Sequence, residues 1–423
     1  MVNNVQPHPA RNVNVDDITD GVLFNVAMPA VQSDAFGRLR VSTPHTLFDS
    51  KQLFDSQPLY WDDQEVSGSG TTSAHNPNEA ATTMGVALNT AGKHVRQTFQ
   101  RFNYQPGKSQ FAMMTGVPLL SGGGAGIMTS IGLFDDNNGV FVHYSEGTMN
   151  VVCRSYVTGS AVDTSVAQGS WNGDNMDGTG PSGITLDGSK TQILWMDLEW
   201  LGVGSVRFGF VVNGVFILCH TFHHANILSE VYMSTPNLPV RYEIENDGTG
   251  AASTMKHICS TVMSEGGLQA QGQLHYQSTE GAHIDANTPN TVYAVIGLKL
   301  KTTHIGQQID LTSVSMVNAT NDNFEWIILF NPTVAGTFTY SDHADSSVQT
   351  AIGATANTVT GGHEIDGGFV ASANGGGSIG AQLDNALRLG SAIDGTLDTV
   401  VLCVRPLSSN ADIDGGLGWR ELT

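Results

Sequence analysis

Charge and cysteine are both scarce in this chain. Only 13% of its 423 residues are charged and only four are cysteine, whereas an average chain carries about 25% charge. Long solvent-facing helices draw on Glu, Lys and Arg, so the first shortage argues against a helical protein. Cys153, Cys219, Cys259 and Cys403 lie far apart without CxxC spacing, which indicates neither a zinc ribbon nor a dense disulfide framework. Folding in a reducing cytosol is the simpler expectation. Cations are scarcest of all: 18 Lys and Arg against 39 Asp and Glu leave a formal charge of −21. Phosphate backbones and anionic membranes are therefore disfavoured, and neither nucleic acid nor membrane is expected as a partner. The acids are scattered, with no run that would mark an acidic tail. No window approaches the roughly 18 apolar residues of a membrane span, and the opening MVNNVQPHPARNVNVDD has no apolar signal core.

What is abundant is glycine, at 49 residues, accompanied by Thr, Ser, Asn and Val. Short strands joined by tight turns suit that mixture, so the fold class is all-β. The chain exceeds the roughly 250–300 residues at which one core stops growing, which implies two domains plus extensions. Residues 1–58, punctuated by Pro7, Pro9, Pro29, Pro44 and Pro58, read as an extended N-terminal arm that can be stabilised only by docking elsewhere. Residues 59–265 read as a β-sandwich whose clearest feature is a hairpin, 205–212 and 215–222 joined by Asn213-Gly214. Further strands are expected at 109–117, 129–134, 139–144, 149–157, 192–200 and 238–244. Residues 266–289 lose apolar density and read as a linker. A second β-sandwich follows over 290–423, with strands at 291–301, 308–318, 324–331, 336–340, 367–371 and 397–405 and a marginal helical turn at 382–389.

No constellation calls for catalysis. His220, His223 and His224 would split between the two faces of a strand, which does not suit three-ligand metal geometry. The loops 135–139 and 172–178 offer oxygen ligands for calcium, but Asp and Asn at such places more often cap their own turns. Asp197 and Glu199 share a strand face as a glycosidase pair would, yet their alternation with Met196, Leu198 and Trp200 equally describes a half-buried strand. Glycine-motif matches at 178–183 and 375–380 lie outside any βαβ pattern and are expected by chance in so glycine-rich a chain. No Walker A loop occurs. Trp61, Tyr104, Trp171 and Trp200, set among polar neighbours, are candidates for a glycan-stacking surface, although aromatics equally fill cores. Catalytic residues, metals and cofactors are accordingly expected to be none.

Three stretches resemble a family of virion structural proteins of tailed phages and large DNA viruses with a lectin-like jelly-roll domain. They are FGRLRVSTPHTLFDSKQ at 36–52, FNYQPGKSQ at 102–110, and a run from GTGPSGI at 178–184 through WLGVG at 200–204 to YMSTPNLPVRYE at 232–243. The resemblance covers about half the chain, roughly residues 34–245, and implies a particle component without supplying catalytic residues. In the first stretch Arg38 and Arg40 alternate with Leu39 and Val41, placing the guanidiniums on one face of an extended strand. Phe36, Arg38, Arg40, Leu47 and Phe48 are thus the expected assembly residues, pairing with carboxylates and apolar surface of a neighbour or folding the arm onto its own domain. The expectation is a homo-oligomer, a trimer, made in the host cytoplasm and carried in the virion. It would serve as a capsid decoration or minor capsid component in contact with the major capsid protein. The alternative is a tail or tail-fibre protein adhering to host surface glycan.

Overall fold

The computed structural model describes residues 34, 43–320, 322–371, 377–379, 388–408 and 410–422. Among them there is no α-helix, and none long and apolar enough to cross a membrane. The first fifteen strands are β1 His45–Lys51, β2 Trp61–Gly68, β3 Thr71–Asn76, β4 Ala81–Val86, β5 Gly92–Thr98, β6 Ser109–Ser121, β7 Ile127–Phe134, β8 Gly139–Ser145, β9 Thr148–Ser155, β10 Val162–Ala167, β11 Gln192–Leu198, β12 Val206–Val212, β13 Val215–Phe222, β14 Val240–Asn246 and β15 Ser253–Glu265. They form two antiparallel sheets. One runs β13-β12-β11-β6-β15-β4-β3 with β1 also on β15; the other runs β10-β9-β8-β7-β14-β5-β2. Alternate residues of both face a shared core, where Met114, Leu194, Phe208 and Phe210 meet Ile131, Val142, Val151 and Tyr242. The β12–β13 hairpin turns on Asn213 and Gly214, both at positive φ (53° and 76°), as the Asn-Gly pair predicts.

The remaining strands are β16 Gly272–Ser278, β17 Ile284–Ala286, β18 Tyr293–Leu300, β19 Gln308–Asn318, β20 Phe324–Phe330, β21 Thr333–Val334, β22 Ser341–Asp342, β23 Val348–Ile352, β24 Val359–Thr360, β25 His363–Val370, β26 Gly377–Ile379, β27 Thr399–Pro406 and β28 Ala411–Leu422. They build a second sandwich from the sheets β16-β28-β19-β26, with β17 also on β28, and β22-β23-β18-β27-β20-β25, plus a small β21-β24 ribbon. The larger sheet is covered on both faces. Val400, Leu402 and Val404 face the main core, while Val401 and Cys403 face a second cluster beneath the ribbon. Burial on both sides is why β20 and β27 read as unbroken apolar runs rather than alternating ones. The two sandwiches touch through polar contacts: Arg101 Nη1 donates to Ser391 Oγ (2.8 Å), Ile393 N to Asp62 Oδ2 (2.6 Å) and Asn237 Nδ2 to Gly306 O (2.9 Å).

Several boundaries differ from the sequence reading. Residues 272–278 and 284–286, expected as linker, are strands paired with β28. Strand β28 itself escaped notice because Gly415, Gly416 and Gly418 give it the look of a turn. Those glycines accept close neighbours instead, since a Cβ on Gly415 would lie 2.5 Å from Val295 and one on Gly418 2.4 Å from Ser313 Oγ. Residues 336–340 are not a strand, and Gly336 stands at φ 74°. The helical turn expected at 382–389 and the glycine motif at 375–380 lie largely outside the described residues. The three buried cysteines, Cys153, Cys219 and Cys403, are free thiols; burial pushes the first two up to about 12, so they are inert packing groups.

Close backbone approach yields one stability test. A Cβ on Gly209 of β12 would fall 1.9 Å from Ile217 O and 2.6 Å from the Trp195 ring. Gly209→Ala should lower the unfolding free energy by about 1–3 kcal/mol in a urea titration. An unchanged midpoint would show that this contact is not tight.

Candidate functional site

The side chains singled out in the sequence for sugar stacking are structural. Trp61, Tyr104 and Trp171 are buried and Trp200 is half-buried. Their polar tips point inward: Trp61 Nε1 donates to Ser50 Oγ (3.0 Å), Trp171 Nε1 to Val166 O (3.1 Å) and Trp200 Nε1 to Met233 O (3.1 Å). Tyr104 meets Trp200 edge to face at 6.4 Å. These four therefore do not assemble an exposed platform, because filling the inter-sheet space removes more apolar surface from water. Asp197 is fully buried in a bidentate pair with Arg207. Glu199 accepts from Ser205 N (3.0 Å), and desolvation by burial raises its carboxyl.

The histidines and acidic loops serve the backbone too. His220 Nδ1 accepts from Asn172 N (3.3 Å), and burial pulls its ring down to about 4. His224 stacks on Tyr232 at 4.1 Å, and its Nδ1 lies 2.6 Å from Gly204 O. Among the described residues no three His, Cys, Asp or Glu converge as a metal site. In the loops weighed for calcium, Asp135 accepts from Asn137 N and Asn138 N (both 2.9 Å), while Asp174 accepts from Met176 N (2.8 Å) and Ser182 N (2.6 Å).

The segments that carry the virion-protein resemblance come together from distant parts of the chain. Phe102 bridges to Leu238, Tyr104 N donates to Asn237 Oδ1 (2.9 Å), and Tyr232 Oη donates to Glu199 O (3.1 Å). Asn138 Oδ1 accepts from Ser234 N (3.0 Å), while Arg241 pairs with Asp136 (2.9 Å) and Glu243 (2.9 Å) and lies over the Phe134 ring. Each polar group holds backbone or another segment.

Among the described residues, buried polar groups underlie an exposed apolar segment between β1 and β2 of the first sandwich. Phe36, Arg38 and Arg40 lie outside the described residues. Leu47 and Phe48 lie on β1, which pairs antiparallel with β15 of the same chain. Phe48 is buried, 5.9 Å from the Trp61 ring and 5.2 Å from that of Phe102, and Leu47 packs on the same core. Phe48 is thus a core residue of its own sandwich rather than an assembly contact: an extended segment with few apolar side chains gains most by adding a strand to an existing sheet.

Behind this strand the gap between the sheets is bridged by Arg96, only 1% exposed. Its Nη1 donates to Asp63 Oδ2 (2.6 Å), Nε to His257 Nδ1 (3.2 Å) and Nη2 to Ser56 O, while its guanidinium lies over the Trp61 ring. Accepting at Nδ1 fixes His257 as the neutral tautomer with its proton on Nε2, 3.2 Å from Ser260 Oγ. Burial, reinforced by Arg96, holds that ring well below the usual histidine range. Burial alone would raise the Asp63 carboxyl, but hydrogen bonding to His94 (2.5 Å), the charge of Arg96 and Ser73 Oγ (2.8 Å) hold it below its ordinary value. Thr71, His94 and Asp63 line up like a hydrolytic relay, at 2.9 and 2.5 Å. Thr71 Oγ1 donates to Glu65 Oε2 (2.8 Å), however, so it is an acceptor toward His94, the reverse of an activated nucleophile.

This buried network fixes residues 52–60 from below. Gln52 accepts from Thr82 Oγ1 and its own carbonyl lies 2.7 Å from His75 Nε2. On the outside of the same segment Leu53, Phe54, Leu59 and Tyr60 are all exposed, Phe54 at 90%. The sequence reading missed them because a short Pro-containing stretch resembles an ordinary loop.

Arg96→Met should lower stability by about 3 kcal/mol, because it leaves Asp63 without its cation; denaturant unfolding measures this, and a loss below experimental error would contradict the role assigned to Arg96. Acid should act in two stages. His257 titrates lower in the folded chain than unfolded, so stability is full above about pH 6.5 and is lost as pH falls from there. Asp63 adds a contribution present above about pH 4 and lost below it. His257→Gln, still able to accept from Arg96, should flatten part of the first stage in a melting-temperature series; a slope identical to that of the parent would refute this.

No protein-family model matches the sequence, and no curated protein matches it. Solved structures do align with it. An endo-1,3-beta-glucanase from Streptomyces sioyaensis is 9% identical with a TM-score of 0.35, covering 52% of this chain and 96% of that one. The CBM2 module of an evolved Dit from Lactobacillus casei BL23 phage J-1 is 7% identical with a TM-score of 0.35, covering 52% and 96%. A legume lectin-like domain from Entamoeba histolytica is 9% identical with a TM-score of 0.30, covering 51% and 96%.

Proposed function

We propose that this chain is a non-enzymatic structural protein of a virus particle, a capsid-associated decoration or minor capsid component that assembles as a homotrimer through residues 53–60, where the N-terminal arm meets the first sandwich. The observation that carries this reading is the pairing of an exposed apolar segment with a rigid buried base. Leu53, Phe54, Leu59 and Tyr60 face solvent on a loop anchored by Arg96 and Gln52. Several large apolar side chains exposed on one short segment favour an interaction site, and anchoring that segment reduces the ordering cost of association. The stretch adjoins the FGRLRVSTPHTLFDSKQ segment, whose resemblance to virion proteins supports the same role, and the partners are further copies of the chain and the major capsid protein. Non-enzymatic character is supported by Asp63, Asp174, Asp197 and His257, whose hydrogen-bonding groups hold strands and turns together. A second reading, adhesion to host glycan from a tail or fibre, is favoured by an open groove on the second sandwich that exposes an aromatic side chain.

Light scattering after gel filtration tests the first reading. The parent chain should run as a trimer, and Phe54→Asp combined with Leu59→Asp should give a monomer with unchanged circular dichroism. A parent chain that stays monomeric and does not co-sediment with its particle would sink the proposal.

A further inference from the structure

The outer face of the sheet β16-β28-β19 carries an open cavity of about 330 Å³ lined by Tyr276, Ser278, Glu280, Ser315 and Asp414 among others. The strand beneath Tyr276 is glycine backbone. Gly416 of β28 stands between Ser278 and Ser315, and Gly418 between Tyr276 and Ser313. Tyr276 springs from β16, yet its Oη shares a hydrogen bond with Ser315 Oγ on β19 (3.0 Å), so the ring spans the intervening strand. A Cβ on Gly416 would meet Oη at 1.8 Å and Cζ at 2.4 Å, which shows how closely the phenol lies on that strand. It is nevertheless 52% exposed. One face rests on the sheet and the other is open to solvent.

Carboxylates stand at the rim of this plane. Glu280 and Gly281 both have positive φ (56° and 81°) in a turn closed by Ala282 N donating to Thr279 O (3.0 Å). Glu280 Oε1 accepts from Gln277 Nε2 (3.3 Å). Asp414 is oriented by His283 Nδ1 (2.7 Å) and Thr279 Oγ1 (3.2 Å). No Lys or Arg lines the cavity.

An outward aromatic face bordered by carboxylates and hydroxyls matches a pyranose ring, whose C–H face packs on an aromatic while adjacent hydroxyls donate to carboxylates. Two acids with no Lys or Arg in the lining disfavour anionic sugars. From this geometry we infer that the groove binds a neutral hexopyranose unit of a glycan, with Tyr276 as the stacking residue and Glu280 and Asp414 as hydroxyl acceptors. The inference rests on the adhesion reading and is independent of the assembly edge.

Saturation-transfer NMR and titration calorimetry on the full chain test it, with laminarin, maltodextrin, cellulose and mannan oligosaccharides as neutral probes and sialyllactose as the anionic one. The expected result is binding of at least one neutral probe and none of sialyllactose. Tyr276→Ala should weaken that binding by about tenfold or more. Glu280→Gly, which suits the positive φ and so preserves the turn, should also weaken it. Binding that survives both substitutions overturns this groove while leaving glycan adhesion to another surface; absence of binding by the parent chain to every neutral probe overturns the groove and the adhesion reading together.

Discussion

A single guanidinium in the gap between two sheets organises one margin of the first sandwich. Arg96 ties Asp63 on its own sheet to His257 on the facing one and to the backbone at Ser56. A buried cation is tolerable only when its donors are matched, and here carboxylate, imidazole, carbonyl and the Trp61 face supply the partners. Because the loop after β1 provides one of those partners, satisfying the charge also fixes that loop. The exposed apolar residues of segment 52–60 are thus held by an interaction they take no part in.

The scarcity of charge acquires a structural meaning in this setting. Most cations whose partners are described are engaged in holding strands: Arg154 clamps Asp163, Arg207 clamps Asp197 and Arg241 clamps Glu243. Asp and Asn side chains are similarly occupied by the backbone of their own turns. Among the described residues these polar groups maintain two large sandwiches.

Glycine plays two separate parts. At Gly214 it supplies the positive φ of a hairpin turn; at Gly209 and Gly416 it supplies absence of a side chain, admitting Trp195 and Tyr276 onto the sheet. Only the first use leaves a readable mark, since Asn-Gly between apolar runs announces a turn. The second resembles a loop, which is why β28 escaped a reading from periodicity although it lies at the centre of its sheet.

By itself the sequence determined the all-β class, the two-sandwich plan and the strands with strong apolar content, such as those around the Asn213-Gly214 hairpin, because alternation and turn chemistry are local properties. It singled out Trp61, Tyr104, Trp171 and Trp200 but could not assign them a side of the sheet, and it passed over the exposed Phe54, Tyr60 and Tyr276. Tertiary structure alone decided that Trp61 and Phe48 pack inside while Phe54 faces water, that Asp197 pairs with Arg207, and that Tyr276 lies over Gly416. Those outcomes depend on register between strands distant in sequence. A shift of one residue in that pairing moves every side chain of a strand to the other face.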